Sequence, residues 1–350
     1  MKRKTFQTLT TAAFSKMSRL QRPDADYTPV AGDVALFECC ADSVALPLIS
    51  AEGVAHTLQP GQRFFGVLGA VYGPGDLEGY VPESLDAPLH VLHASGIVGQ
   101  AAPHSMCKGA VLASVRLLSL VLGENGQVLH TTNSEPAAAS VPATLQGRVL
   151  FVGGTDAQAG TRQLAEAIGQ TLQNRGYQVA RLRINGHGPD STWKNHALNG
   201  ANTCHSFEDI GLTSTYMLTP AALQQALTDL LSQAEMQRPD WVIVEMEQSL
   251  LQRESDLLLN DPRWKSLIAG VALAASTPIA AIGGLQIVEH AGHRTLAVGG
   301  SMLDSVLMRS EFEVFSDVPL AMPSALRKTL LPQLSVHLRN DWDAYVLAAS

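Results

Sequence analysis

The chain is poor in charge, in aromatic rings and in cysteine. Only 16% of its 350 residues are charged and 5% are aromatic, and there are four cysteines. The 24 basic residues are outnumbered by 32 acidic ones, for a formal net charge of −8. Broad nucleic-acid binding needs a basic surface, and a single-strand platform needs stacking rings, so neither partner is expected. Cys39, Cys40, Cys107 and Cys204 contain no C-x-x-C spacing, which argues against a structural zinc site. Neighbours on one strand point to opposite faces, so Cys39 and Cys40 are a poor disulfide pair, and reduced thiols in a cytoplasmic setting are expected. No apolar run approaches the ~18–20 residues that cross a bilayer. The apolar stretch behind Lys2, Arg3 and Lys4 is broken by Ser15, Lys16 and Ser18, unlike a secretory signal. No membrane partner is expected.

What is present is enough apolar material, 46% of residues, to build packed cores. The length suggests two domains at about 150 residues each. Residues 1–27 read as a flexible basic arm. From 28 to 133, short apolar runs such as Asp33–Cys40, Arg63–Val71 and Pro88–His93 alternate with Gly and Pro turn signals. This pattern predicts a small, mainly-β domain, a barrel or sandwich. Val111–Leu122 fits a strand or a helix equally well. The small, Pro-bounded stretch within 134–147 reads as a linker. From 148 to 322 apolar strands alternate with helical patterns, which predicts an α/β domain: a parallel sheet with helices on both faces. Thr219 and Pro220 mark the start of a long helix. Residues 323–350 read as a C-terminal helical extension.

The richest segment is Val149-Leu150-Phe151-Val152-Gly153-Gly154-Thr155-Asp156-Ala157-Gln158-Ala159-Gly160-Thr161-Arg162. A strand enters a glycine-rich turn and leaves as a helix, an arrangement that aims backbone N–H groups at an anion. A phosphate suits such a turn before any side chain is considered. The plain alternative is a generic α/β domain whose glycines only make a tight turn.

Gly154-Thr155-Asp156-x-x-x-Gly160 resembles the long phosphate loop of the P-loop NTPase-fold family that includes dethiobiotin synthetase. Trp241-Val242-Ile243-Val244-Glu245 resembles that family's Walker B strand. Glu247-Gln248-Ser249-Leu250-Leu251 and Asp209–Tyr216 are similar to segments of relatives of the D-glutamate N-acetyltransferase type. The resemblance covers about residues 148–310 and implies a C-terminal P-loop-type sheet. It also implies cofactor-binding roles for Gly154, Thr155, Asp156, Gly160, Thr161 and Arg162, and a metal-binding and catalytic role for Glu245. The family loop ends in Gly-Lys-Thr, where Lys neutralises phosphate and Thr holds magnesium. Here Thr161 and Arg162 occupy those positions, so the Walker A loop is degenerate. Arg162 could fork onto a phosphate in place of the lysine. Arg181 and Arg183 could add charge, or serve on a surface or between domains.

Other chemistry clusters in 185–209. His187 follows a strand end and is a candidate general base or phosphate contact. His187, His196, Cys204 and His205 could form a metal site, although their spacing matches no standard pattern, and a polar loop with ordinary histidines is the simpler account. Gly299-Gly300-Ser301 reads as a tight turn or a second anion-binding turn. Cys107 beside Lys108 has no evident His partner.

Two functions follow. The first is a ligase or transferase acting on a small polar carboxylate, with ATP and Mg2+ or acetyl-CoA as candidate cofactors. The second is a catalytically inactive pseudo-NTPase acting as a scaffold. The expected ligand is a phosphate-bearing small molecule. The resemblance also implies a homodimer, and the N-terminal domain is a candidate protein-binding module.

Overall fold

A computed structural model describes residues 5–322 apart from 15–16, 18, 25, 74–76, 104, 106–111, 134–147, 189 and 266. The expected linker, the expected C-terminal extension, Lys2 to Lys4, Cys107 and Lys108 therefore lie outside the described residues. The chain divides into two units. The first contains Met1–Ala138 together with His187–Ser191 and Phe207–Met217. The second contains Ala139–Gly186, Thr192–Ser206 and Leu218–Ser350.

The first unit is built from β1 (Thr5–Gln7), β2 (Leu20–Gln21), β3 (Val34–Cys39), β4 (Leu46–Ile49), β5 (Ala55–Leu58), β6 (Arg63–Leu68), β7 (Val71–Gly73), β8 (Leu77–Tyr80), β9 (Leu89–His93), β10 (Ile97–Ala101) and β11 (Ser114–Val121). Strands β6, β3, β11, β9 and β10 are successive neighbours, and β10 also pairs with β6, so this path closes on itself. Closure satisfies backbone groups that an open edge would leave unpaired. The core behind it holds Phe37, Phe64, Leu89, Val91 and Val98, with the Phe37 and Phe64 rings stacked at 5.6 Å. The ambiguous run Val111–Leu122 contains a strand because β3 and β9 offer it ladders on both sides. Parts of the stretch read as an arm are sheet instead. Thr5–Gln7 pairs in parallel with β6, and Leu20–Gln21 pairs with β11. Phe6 anchors β1 by packing near Phe64, ring centroids 6.2 Å apart.

The second unit holds a six-stranded sheet: β12 (Arg148–Gly154), β13 (Val179–Asn185), β14 (Thr203–Ser206), β15 (Trp241–Ser249), β16 (Ile268–Ala274) and β17 (Thr295–Gly299). Its order is β14-β13-β15-β12-β16-β17, and every pairing is parallel. The α-helices among the described residues are α1 (Thr161–Gln173), α2 (Ser191–Ala197), α3 (Pro220–Glu235), α4 (Arg253–Asn260), α5 (Pro262–Lys265), α6 (Pro278–His290) and α7 (Val306–Phe315). Ile168 and Leu172 of α1 pack with Leu150, Val152 and Ile243 of the sheet. Thr219 and Thr277 accept hydrogen bonds from the amides of Ala222 and Ala280, capping α3 and α6. Each such cap contributes about 1 kcal/mol. After a 3-10 turn at Ser301–Asp304, α7 begins at Val306, where Ser305 accepts a hydrogen bond from the Met308 amide. Thr203–Ser206, in the stretch expected as a polar loop, is an edge strand on β13. No helix among the described residues is long and apolar enough to cross a membrane.

This topology places the glycine loop. The chain leaves β12 toward β13 on one side and leaves β16 toward β17 on the other. The switch point therefore lies between β12 and β16, where ligands bind at the carboxyl ends of α/β strands.

Candidate functional site

The loop begins where β12 ends. Gly154 is required there, since a Cβ would collide with Thr161 Oγ1. The loop is tied to its neighbours by hydrogen bonds. The Thr155 amide donates to the Ala274 carbonyl at 2.9 Å. The Asp156 carboxylate accepts from Thr155 Oγ1 at 2.9 Å, Ser276 Oγ at 2.6 Å and the Gln158 amide at 2.9 Å. Asp156 thus braces the loop across to the turn after β16.

Gly160 closes the loop at φ +87°, in the left-handed region that suits glycine, and caps α1 with no side-chain hydrogen bond. The first-turn amides of a helix have no intrahelical acceptor and carry the positive end of its dipole. They open beside a cleft of about 330 Å3 lined by Ala157, Gly160, Thr161, Arg162, Gln163 and Glu247. A second cleft of about 270 Å3 touches Gly160 from the side of Gly300 and Ser301. The turn Gly299-Gly300-Ser301 supports the loop. The Ser301 amide donates to the Ala159 carbonyl at 2.9 Å, and its hydroxyl donates to the Gln158 carbonyl at 3.0 Å.

Behind the loop stand three arginines and two glutamates. Arg181 Nε donates to Glu245 Oε1 at 2.7 Å, and both side chains are fully buried. Trp193 Nε1 reaches the other carboxylate oxygen at 3.5 Å. Burial pushes the Glu245 carboxyl up to about 7, against the pull of Arg181. Arg162 pairs with Glu247 at 2.7 Å, and Arg183 Nε lies 3.7 Å from the other Glu247 oxygen. Arg183 also sits over the Trp193 ring, 5.9 Å from its centroid. Asn185 fixes the end of β15 by accepting from the Glu247 amide at 2.9 Å and donating to Ser255 Oγ at 2.9 Å.

The structure thus brings Gly154, Thr155, Asp156, Gly160, Thr161 and Arg162 together around one turn. Thr161 is buried, with its Oγ1 against Gly154. Glu245 lies on β15, sealed by Arg181. His187 is not among these residues. It belongs to the first unit, edge-on to His93 with ring centroids 5.4 Å apart. No group of three or more His, Cys, Asp or Glu among the described residues could hold a metal. Arg181 and Arg183 correct an expectation: they are core residues, 0% and 1% exposed, not surface cations. The sequence offered them only as added charge or as surface or interdomain residues, and gave Glu247 no role of its own. A signal was available, namely Arg-x-Arg on one apolar strand and Glu-x-Glu on another. The register sets Arg183 opposite Glu245 and Arg181 opposite Ile243, so the charges share a face.

No protein-family model matches the chain, and no curated protein does. Solved structures similar to it include the kinase domain of Escherichia coli tyrosine kinase ETK, at 15% identity over 44% of this chain and 66% of that one, with a TM-score of 0.31. The signal recognition particle receptor FtsY from Elizabethkingia anophelis is similar at 12% identity, covering 48% of this chain and 54% of its own, TM-score 0.28. A ParA family ATPase from Chlorobium tepidum TLS is similar at 14%, covering 55% and 91%, TM-score 0.32. The chain spans less than two thirds of the length of the first two.

Proposed function

We propose that the second unit is a P-loop-type domain that holds a phosphate-bearing ligand on Gly154–Arg162 and does not hydrolyse nucleotide. The observation that carries this reading is the pairing of Arg181 with Glu245 at 0% exposure on both sides. Hydrolysis in this fold draws on a lysine at the phosphates and a carboxylate at the metal. Here a buried threonine replaces the lysine, and an internal guanidinium holds the carboxylate. What remains is the anion-binding backbone: a left-handed glycine, an uncapped helix start and a cleft beside it. The ligase or transferase reading needs Glu245 to reach a substrate or metal, which its burial opposes. The pseudo-NTPase reading is favoured.

Calorimetry with ATP, ADP and acetyl-CoA on wild type and Gly160→Asp tests the proposal. Aspartate tolerates the left-handed region better than most residues and places a negative charge at the anion site. At least one ligand is expected to bind wild type and to lose about tenfold or more in affinity in the variant. Phosphate release from ATP is expected to stay at the buffer blank. Undiminished binding to Gly160→Asp, no binding of any ligand to wild type, or ATP turnover would each overturn the reading.

A further inference from the structure

Resting on that reading, we infer that the glycine loop takes its phosphate ligand free of divalent metal, with Arg162 in the place of the ion. Magnesium demands near-octahedral oxygen donors, and a P-loop supplies a hydroxyl and a carboxylate directly or through water. The residues present do not fit that ion. The position that follows the loop glycine by two, where the hydroxyl would stand, is Arg162, a permanent cation. Thr161, the neighbouring hydroxyl, is 6% exposed and lies against Gly154. Glu245 is 0% exposed and held by Arg181 at 2.7 Å. Glu247, the remaining carboxylate of the cleft, lies 2.7 Å from Arg162 and 3.7 Å from Arg183. Asp156 already accepts three hydrogen bonds within the protein. A dication entering here would have to displace a guanidinium and remain beside the others.

The same set suits an unchelated phosphate. Arg162 is 31% exposed and lines the cleft beside the first turn of α1. Its fork matches two phosphate oxygens, and the amides at the helix start supply further donors. Exchange of Glu247 for the ligand keeps the guanidinium paired, and Arg183 stays beside the released carboxylate. Magnesium covers the same phosphate oxygens that Arg162 needs. The ligand class is therefore a metal-free phosphate or diphosphate group, and magnesium acts as a competitor.

The test is calorimetry of the full chain with ATP and with inorganic pyrophosphate, in EDTA and in excess Mg2+. Binding is expected to be about tenfold tighter in EDTA. Electron paramagnetic resonance of Mn2+ supplies a second readout: protein added to Mn2+ and ligand should not deplete free Mn2+ beyond what ligand alone depletes. Arg162→Thr, checked for an unchanged melting curve, should bind pyrophosphate about tenfold more weakly in EDTA and lose the preference for EDTA. Binding tightened by Mg2+, Mn2+ captured at the loop, or Arg162→Thr binding like wild type in EDTA would overturn the inference while leaving the phosphate site standing. No binding of either probe in either condition would overturn both.

Discussion

Each unit holds a glutamate beside arginine, and the two pairings have opposite electrostatics. Glu38 on β3 stands directly across from Arg63 on β6 and from Arg116 on β11. Those arginines are 40% and 66% exposed, so both keep contact with water. Hydrogen bonds from Arg63 and then Arg116 hold the Glu38 carboxyl down, at about 2. Glu245 meets Arg181 where neither side chain is exposed, and burial holds its carboxyl up, at about 7. The residue types are the same, and water makes the difference. A solvated cation stabilises its anion at little desolvation cost. A dry pair gives up hydration on both sides, so either member alone is a liability.

The largest expected effect comes from separating the dry pair. Arg181→Met should destabilise the protein by about 3–5 kcal/mol at pH 8, because Glu245 loses its counter-ion and must fold either buried and charged or with a proton taken up against the pH. The loss should shrink near pH 5, where Glu245 can take up a proton. Adding Glu245→Met should recover most of it, which denaturant melts of both single variants and the double would show.

The second test is the sign of the pH dependence. The native pKa of Glu245 lies above its ordinary value of 4.5. Between about 4.5 and 7 the native state keeps a proton that the unfolded chain has released. Its contribution to stability is full below that window and lost as pH rises through it, by on the order of 3 kcal/mol. Glu245→Gln should flatten the profile measured by urea melts from pH 5 to 7.5. Glu38 runs the other way, because its native pKa lies below the ordinary value. Its stabilisation is present above about pH 4.5 and disappears as pH falls toward 2.

The smallest effect is expected for Glu38→Gln, about 1 kcal/mol at neutral pH and nothing near pH 2, since exposed arginine pairs contribute little. A loss as large as that of Arg181→Met would end the comparison.

The local part of this architecture was legible. Thr219-Pro220 announced α3, and Gly153, Gly154 and the left-handed Gly160 announced the loop, because helix caps and glycine turns are written in nearby residues. The burial of Arg181 and Arg183 was only half legible: alternating charges on two apolar strands hint at a pairing, but the pairing depends on which strand lies beside β13. That neighbour, β15, is more than 50 residues further along the chain. The same limit hid β14, whose ladder is supplied by β13. It also hid the role of Asp156, whose partner Ser276 lies 120 residues away. His187 read as a site residue because it follows a strand end, yet it groups with the first unit.

That grouping bears on how the protein is made. Phe207 is fully buried, Tyr216 stacks on Tyr72 at 5.3 Å, and the Gly188 amide donates to the Thr213 carbonyl, all counted with the first unit. These pieces leave the ribosome after β12 and β13, well behind the barrel strands. The first unit is therefore incomplete until residue 217 has been synthesised, and the maturation of the two units is interleaved in time. Cutting the gene between codons 133 and 148 would separate the sequences but would deprive the N-terminal product of its own last-made parts.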